Sequence, residues 1–447
     1  MRIELPNPPL FARIFSEVTG IHLHETVSGI VTDSRECRPG DLYIALRGSR
    51  VDGHQFIETA EIAGCSAALV TRADKNVGKM QQIEVPDPLI AIGRVAHHWR
   101  KQFTFPILGI TGSNGKTSTK ELLKHVLQRR YNIHATEGNY NTSIGLPLSL
   151  LQIHEGHSFA ILEMGANQPG DIAYLCKITE PTQGLITNIA PAHLEGFGTI
   201  EAVAREKSEL FRTLEKGLAY VNMADERIKS LPRPGREVTY GLTPDCDFSA
   251  DLHHDRDGTI ALTIEAQEIA TNSRNLSFAK NVIAAAAVAI TNGITWETFQ
   301  EQIISFVPPA GRCRIKDIKQ VTVIDDTYNA NLESTLAAID YLNAFSGNGR
   351  RILVFGDMYE LGRGSAELHR QVGIKCNEVG LDAVYTVGED TVYTADVLNN
   401  VASHKHFENK SDLARALRSD LRAGDKILFK GSRGMAMETI IEEVFRK

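Results

Sequence analysis

The sequence predicts an α/β protein built from three domains. It has 447 residues, which at about 150 residues per domain is enough for three units. Apolar runs of strand length recur along the chain and are followed by turn or helix signals, an alternation typical of α/β folds. Proline-rich segments at residues 86–88 and 308–311 interrupt this alternation, because proline disfavours both helix and sheet interiors. We therefore expect units at residues 1–86, 87–311 and 312–447.

The first unit is predicted to be a small α/β domain. Strand-like runs at residues 41–46 and 67–70 flank a helical stretch around residues 54–63. The turn signal at residues 38–41 marks the start of the first run.

The second unit is predicted to contain a parallel sheet. Its apolar runs at residues 107–110, 159–162 and 184–187 are continuous, not alternating. Continuous hydrophobicity is typical of strands that helices cover on both faces. The alanine-rich stretch at residues 279–290 predicts a well-packed helix.

The third unit shows the same alternation of strand and helix signals, which predicts a doubly wound, Rossmann-like sheet. The helix predicted at residues 334–343 follows the first of its strands. The predicted strands are residues 321–324, 351–355, 383–387 and 426–429.

Composition argues against several classes of protein. The 48 Lys and Arg residues against 55 Asp and Glu give a net charge of −7, whereas nucleic-acid binders carry a basic excess. No apolar stretch approaches the roughly 20 residues that span a bilayer, and the N-terminus does not resemble a signal peptide. The six cysteines include no CxxC pair, so neither a disulfide framework nor a zinc site is predicted. We expect a cytoplasmic monomer with reduced thiols.

The strongest local signal is the sequence GITGSNGKTS at residues 109–118. It follows a predicted strand and precedes a predicted helix, which is the context of a phosphate-binding loop. Lys116 would reach the β- and γ-phosphates of ATP, and the Thr117 hydroxyl would bind Mg²⁺. Five residues separate Gly109 from Gly115, one more than in the common pattern. The flanking strand and helix favour a phosphate loop over a glycine-rich turn with an exposed lysine. The residues predicted to surround ATP here are Gly112, Ser113, Asn114, Gly115, Lys116, Thr117 and Ser118.

Other candidate residues follow predicted strands or lie near the second linker. Glu163 ends a strand of the second unit, at the edge where α/β sheets bind ligands, and its carboxylate is suited to Mg²⁺. His193 and Lys207 follow later in the same unit, and Arg312 and Asp326 open the third. Arginine bridges phosphate oxygens well, and aspartate accepts hydrogen bonds from ribose hydroxyls. Each residue taken alone also fits an ordinary structural role, and only the combination with the phosphate loop points to a site.

These residues resemble the Mur ligases, a family of ATP-dependent enzymes that build the peptide stem of bacterial peptidoglycan. The phosphate loop at residues 111–117 has the spacing seen in that family. The resemblance continues, in the same order, through residues 138–147, 163, 192–195, 312 and 326. Six segments are similar to those of the family members that add a dipeptide: residues 33–35, 40–48, 192–198, 326–331, 356–362 and 430–434. The Asp-Asn-Pro-Arg tetrapeptide, typical of the member that adds the third residue, does not occur in the sequence.

The resemblance implies an ATP-dependent amide ligase of peptidoglycan precursor synthesis, with ATP and Mg²⁺ as cofactors. The implied substrates are UDP-N-acetylmuramoyl-tripeptide and D-alanyl-D-alanine, joined through an acyl phosphate. A Mur-type ligase that adds a single amino acid is the alternative. A nucleotide-dependent switch that forms no amide is disfavoured by the set of Glu163, His193 and Lys207 beside the loop.

The resemblance also implies individual roles. Thr117 and Glu163 would hold one Mg²⁺, and His193 with a carbamylated Lys207 a second. Asn281 would contact the adenine and Asp326 the ribose. The residues expected to be catalytic are Lys116, His193, Lys207 and Arg312. The first unit would bind the UDP moiety, and the expected substrate-binding residues are Asp33, Ser34, Arg35 and Asn141.

Overall fold

The computed structural model describes residues 1–48, 51–75, 78–345 and 347–446, and within them the three-domain α/β prediction is confirmed. Each of the three sheets lies inside one predicted unit. No helix among these residues is both long and apolar enough to cross a membrane.

The first sheet has five strands in chain order, of which the first is antiparallel and the rest are parallel. Its elements are β1 (Arg2–Glu4), α1 (Pro8–Thr19), β2 (Gly29–Val31), β3 (Asp41–Ile44), α2 (Ile57–Ile62), β4 (Ala67–Val70) and β5 (Gln81–Glu84). The helix predicted around residues 54–63 is shorter than expected. It begins as a 3₁₀ turn at Gly53–Phe56, because the Asp52 carboxylate accepts a hydrogen bond from the His54 peptide N–H.

The second sheet has nine strands in the order β14-β13-β12-β11-β10-β9-β6-β8-β7. The strands are β6 (Ile107–Thr111), β7 (Ile133–Ala135), β8 (Phe159–Glu163), β9 (Gln183–Ile186), β10 (Leu218–Asn222), β11 (Glu237–Gly241), β12 (Phe248–His254), β13 (Ile260–Ile264) and β14 (Gln267–Ser273). Strands β6 to β12 are parallel as predicted, and β13 and β14 extend the sheet as an antiparallel edge.

Nine helices of the described chain accompany this sheet. They are α3 (Pro88–Arg100), α4 (Lys116–Leu127), α5 (Gly145–Leu151), α6 (Asp171–Thr179), α7 (Leu194–Phe197), α8 (Ile200–Arg212), α9 (Glu226–Lys229), α10 (Leu276–Thr291) and α11 (Trp296–Ser305). The predicted alanine-rich helix is α10, which packs along α4. Its small buried side chains let the two helix backbones approach closely, and this fixes α4 against the sheet.

The third sheet has six strands in the order β15-β16-β20-β17-β18-β19, with only β15 antiparallel. Its elements are β15 (Arg314–Ile318), β16 (Val321–Asp326), α12 (Leu332–Asn343), β17 (Arg351–Gly356), α13 (Ser365–Val379), β18 (Ala383–Val387), α14 (Val392–Ala395), β19 (Ser403–Phe407), α15 (Lys410–Asp420), β20 (Lys426–Lys430) and α16 (Glu438–Phe445). The four predicted strands are β16, β17, β18 and β20.

The core does not stop at residue 86. Helix α3 packs against α1 of the first unit and against α5 and α6 of the second. Buried side chains on both sides, such as Phe15 and Leu175, belong to one continuous apolar cluster. The first boundary therefore separates two sheets that share a core, and the division at residues 86 and 311 stays a prediction.

The topology creates a binding edge in the second sheet. The chain passes from β6 outward to β7 and back to β8 on one side, and then continues through β9 and β10 on the other. A reversal of this kind opens a crevice at the carboxyl ends of the strands. The phosphate loop, Glu163 and Thr187 all lie at this edge, since they end or follow β6, β8 and β9.

Candidate active site

The predicted phosphate loop joins β6 directly to α4. Gly115, with φ +80°, precedes the first residue of the helix, Lys116. The Lys116 ammonium turns back into the loop and donates to the carbonyl of Gly112 at 2.7 Å. Burial lowers the pKa of Lys116, an effect that the Glu163 carboxylate opposes. The loop thus holds a partly buried cation at a helix N-terminus, an arrangement suited to a phosphate group.

Both the lack of space for a side chain and the backbone conformation require glycine at position 112. Its φ is +150°, and a Cβ added to it would lie 1.9 Å from Oγ1 of Thr187. The Thr187 hydroxyl is itself fixed, because it donates to the carbonyl of Asn114 at 2.6 Å. A side chain at position 112 would therefore push Thr187, the residue after β9, away from the loop.

Replacing Gly112 by alanine should therefore weaken nucleotide binding. The strain and the clash together should cost about 2 kcal/mol, which corresponds to about a 30-fold rise in the Kd of a fluorescent ATP analogue. Gly380→Ala is the control, since Gly380 also has positive φ but no atom lies within 4 Å of its added Cβ. Equal affinity in the Gly112→Ala and wild-type proteins would contradict this account.

Thr117, Glu163, Asn141 and Arg312 come together beside the loop. The Thr117 hydroxyl donates to Oε1 of Glu163 at 3.2 Å, and the Asn141 amide donates to the same oxygen at 2.8 Å. The second carboxylate oxygen of Glu163 is buried and lacks a hydrogen-bond partner in the described part of the chain. Arg312 reaches over from the linker and donates to Thr117 Oγ1 at 3.0 Å. Asn141 was predicted to bind substrate, and its contact here is with Glu163.

The guanidinium of Arg312 is held in place by an aromatic ring. Its central carbon lies 3.9 Å from the centroid of the Tyr328 ring, a stacking geometry that favours a cation. Its Nε is buried and has no acceptor within the described residues. Arg312 thus presents an unused donor beside the phosphate loop.

Lys207 is buried on α8, with an exposed fraction of 3%. Burial lowers its pKa to about 7, and the nearby Lys116 ammonium lowers it further, while Glu206 opposes the shift. The Glu206 carboxylate is committed elsewhere, because it accepts hydrogen bonds from the peptide N–H groups of Gly170 and Ile172 at the start of α6. Lys207 is therefore a largely desolvated amine close to the phosphate loop, not the solvated lysine that a lone helical position would suggest.

His193 lies on the loop before α7 and has φ +53°. Its Nδ1 is hydrogen-bonded to the carboxylate of Glu360, which belongs to the third unit. The loop is tied to the phosphate loop, because the Ser113 hydroxyl donates to the Ala190 carbonyl at 2.8 Å. Across the described residues, no three His, Cys, Asp or Glu side chains form a ready metal site. Of the four predicted metal ligands, the structure brings Thr117 and Glu163 into direct contact.

Of the residues predicted for the adenine and the ribose, Asn281 lies beside the phosphate loop and Asp326 lies in the third sheet. Asn281 is on α10, with its side-chain oxygen 3.0 Å from the position of a Cβ on Gly115. Asp326 ends β16 and accepts a hydrogen bond from Lys430 at 2.5 Å and one from the Cys313 peptide N–H at 3.2 Å. Asp326 is thus an ion-paired carboxylate at the carboxyl end of β16 in the third sheet.

The third unit contacts the phosphate loop through side chains that sequence reasoning did not assign. Glu333, in the first turn of α12, accepts hydrogen bonds from the amides of Asn114 and Asn188 at 2.7 and 2.9 Å. Asn331 donates to Oδ1 of Asn114 at 2.7 Å. Together with Arg312, these bonds place the third unit directly on the loop. Asn331 and Glu360 occur in segments that carry the family resemblance, whereas Glu333 and Asn188 have no local signal.

The predicted uridine-binding segment is a 3₁₀ turn at Ser34–Glu36 in the first unit. The Asp33 carboxylate accepts hydrogen bonds from the guanidinium of Arg35 at 2.6 and 2.9 Å, and this lowers the pKa of Asp33 to about 2. Arg35 remains largely exposed. Burial raises the pKa of Tyr140, the residue before Asn141, and the charge of Glu36 raises it further.

Three family models match the chain in succession. The model described as the Mur ligase family catalytic domain matches residues 26–100, the Mur ligase middle domain matches residues 110–289, and the Mur ligase glutamate ligase domain matches residues 311–433.

Full-length relatives agree with these matches. The chain is 35% identical to a UDP-N-acetylmuramoyl-tripeptide–D-alanyl-D-alanine ligase of Synechocystis, covering 96% of this chain and 94% of the relative. The identity to the enzyme of the same name from Escherichia coli is 34%, covering 93% of both.

Solved structures show the same likeness. A crystal structure of MurF from Acinetobacter baumannii superposes with a TM-score of 0.86 at 29% identity, covering 98% of both chains. MurF ligase from Thermotoga maritima in complex with ADP superposes with a TM-score of 0.81 at 31% identity, covering 93% of this chain and 97% of that one.

Proposed function

Because the chain belongs to the Mur ligase family, we propose that it joins D-alanyl-D-alanine to UDP-N-acetylmuramoyl-tripeptide at the expense of ATP. The observation that carries this function is the identity of 30–35% to ligases of that name along more than nine-tenths of the chain. The enzyme acts in peptidoglycan precursor synthesis and so serves cell-wall biogenesis, cell shape and cell division. A monomer in the cytoplasm, acting on soluble nucleotide precursors, is part of the proposal.

The reaction activates a carboxylate. The terminal carboxylate of the tripeptide attacks the γ-phosphorus of ATP, and ADP leaves. The amine of D-alanyl-D-alanine then attacks the resulting acyl phosphate, and inorganic phosphate leaves with formation of the amide. No protein nucleophile is required, so the chain contributes mainly positioning and charge neutralisation.

Lys116 and Arg312 supply the positive charge. Lys116 now donates to carbonyls of its own loop, and a phosphate group entering the loop would take over this donor. Arg312 is stacked on Tyr328 and keeps Nε free beside Thr117. The two cations belong to different units, so both reach the same phosphates only when the third unit lies on the loop, as it does here.

Thr117 and Glu163 fit Mg²⁺. A buried carboxylate oxygen without a donor, such as Oε2 of Glu163, is costly unless a cation pairs with it. Hydroxyl and carboxylate oxygens are ligands that Mg²⁺ prefers. When bound, Mg²⁺ supplies positive charge to the phosphate oxygens. We assign Thr117 and Glu163 to one ion, and His193 and carbamylated Lys207 to a second.

The remaining assignments follow the position of each residue. Asn281, beside Gly115, is assigned to the adenine and Asp326 to the ribose. Asp33, Ser34 and Arg35 are assigned to the uridine nucleotide, which leaves the peptide to extend past Asn141 toward Glu163.

The test is a panel of amines. The protein is incubated with ATP, Mg²⁺ and UDP-N-acetylmuramoyl-tripeptide carrying either meso-diaminopimelate or lysine, and with D-alanyl-D-alanine or single amino acids. We expect one phosphate released per amide formed, with D-alanyl-D-alanine as the preferred amine. Phosphate release and the mass of the product are measured together. Ligation of a single amino acid but not of the dipeptide would identify another Mur-type ligase. Phosphate release without an amide would indicate a nucleotide switch.

A further inference from the structure

A loop of the third unit contacts the His193 loop at three points. The Glu360 carboxylate is hydrogen-bonded to Nδ1 of His193. The peptide N–H of Glu195 donates to the carbonyl of Glu360 at 3.2 Å. Gly362 lies against the same backbone, since a Cβ added to it would be 3.8 Å from Cα of Glu195. The contact therefore involves backbone as well as side chains.

The Glu360 loop is fixed within its own unit. Just before it, the buried Asp357 carboxylate accepts hydrogen bonds from three successive peptide N–H groups, at residues 389–391. The Tyr359 peptide N–H donates to the Ser432 hydroxyl at 2.8 Å. The position of Glu360 relative to His193 therefore depends on where the whole third unit lies.

Both partners have an unusual backbone conformation. His193 has φ +53° and Glu360 has φ +63°, values that residues other than glycine rarely adopt. Such conformations persist where surrounding contacts hold them, and they concentrate at functional sites. The His193 loop is held by Ser113 of the phosphate loop, and the Glu360 loop by the contacts of Asp357 and Tyr359.

The chemistry of the pair decides the state of the imidazole. An ionised carboxylate only accepts hydrogen bonds, so Nδ1 of His193 must carry the proton. In a neutral ring this leaves Nε2 with a free lone pair, and carboxylates commonly orient histidine ligands in this way.

We propose that Glu360 is a positioning residue for His193, delivered by the third unit when it closes on the phosphate loop. In the closed arrangement the carboxylate fixes the ring and leaves the Nε2 lone pair free. When the third unit moves away, His193 loses its orientation. The role of His193 in the reaction rests on the proposed function, whereas the orientation of its ring by Glu360 does not.

The experiment reads the His193 tautomer directly. Full-length protein labelled with ¹⁵N-histidine is studied by two-bond ¹H–¹⁵N correlation, with the His193 signals assigned from a His193→Asn variant. We expect the Nδ1–H tautomer in the wild type, a shift toward Nε2–H in Glu360→Ala, and recovery in Glu360→Asp. Glu367→Gln, on the exposed face of α13, is the control.

Activity provides the second measurement. Glu360→Ala should lower kcat about 10-fold, the effect expected on removing a partner that orients a ligand, with the KM for ATP unchanged. Unchanged His193 signals in Glu360→Ala would overturn the proposal. Lys116→Ala separates the two inferences, since it should reduce ligation about 10³-fold and leave the His193 signals as in the wild type. If the wild-type protein ligates none of the amines but Glu360→Ala still shifts the His193 tautomer, the proposed function fails and the role of Glu360 stands.

Discussion

Replacing Lys116 by alanine should reduce ligation about 10³-fold, the effect typical of removing one preorganised donor to transition-state charge. Lys116 is the first residue of α4, and its ammonium already points into the loop that would surround the phosphates. No other lysine reaches those carbonyls among the bonds of the described chain, so a loss of this cation has no local replacement.

The measurement is amide formation with D-alanyl-D-alanine at saturating ATP, together with titration of a fluorescent ATP analogue. Lys124→Ala is the matched control, because Lys124 lies two turns further along the same helix, away from the loop. We expect wild-type activity from Lys124→Ala and an unchanged melting temperature in both variants. Ligation by Lys116→Ala at the wild-type rate would remove the phosphate loop from the mechanism.

The phosphate loop could be predicted from sequence because its signal is local. The glycines, the lysine and the flanking strand and helix all lie within about twenty residues, and helix capping and backbone freedom explain each of them. The strands predicted in the second and third units are likewise continuous apolar runs, which the buried parallel sheets require. The antiparallel edge of β13 and β14 was missed, because its strands alternate buried and exposed residues and carry many polar side chains.

The contacts between units could not be predicted from local pattern. Glu333 meets Asn114 across 219 residues of sequence and Glu360 meets His193 across 167, and both contacts exist only because the third unit lies on the second. Nothing in the sequence around Glu333 distinguishes it from a solvated residue in the first turn of a helix. The same limit applies to Lys207, whose lowered pKa comes from burial in the fold and from the charge of the distant-in-sequence Lys116.

Lys207→Ala should lose at least about 10²-fold in activity, as expected when a metal ligand or its equivalent is removed. The buried amine has a pKa of about 7, so a substantial fraction is neutral near neutral pH. Only a neutral amine attacks CO₂, and the carbamate formed would replace a buried cation with oxygen ligands for Mg²⁺. Because the folded-state pKa is lowered, the neutral fraction rises as pH increases through about 7. At limiting bicarbonate, activity should rise over the same range.

Chemical rescue distinguishes this role from a structural one. Acetate or propionate added to Lys207→Ala should restore part of the activity by placing a carboxylate in the vacated space, and Lys207→Arg should be inactive and not rescued. Wild-type protein in ¹³C-bicarbonate should show a carbamate resonance that Lys207→Ala lacks. Lys177→Ala, an exposed lysine on the neighbouring helix α6, is the control and should behave as wild type. Full activity in Lys207→Arg would show that a carbamate is not needed, and Lys207 would then act only as a buried positive charge beside Lys116.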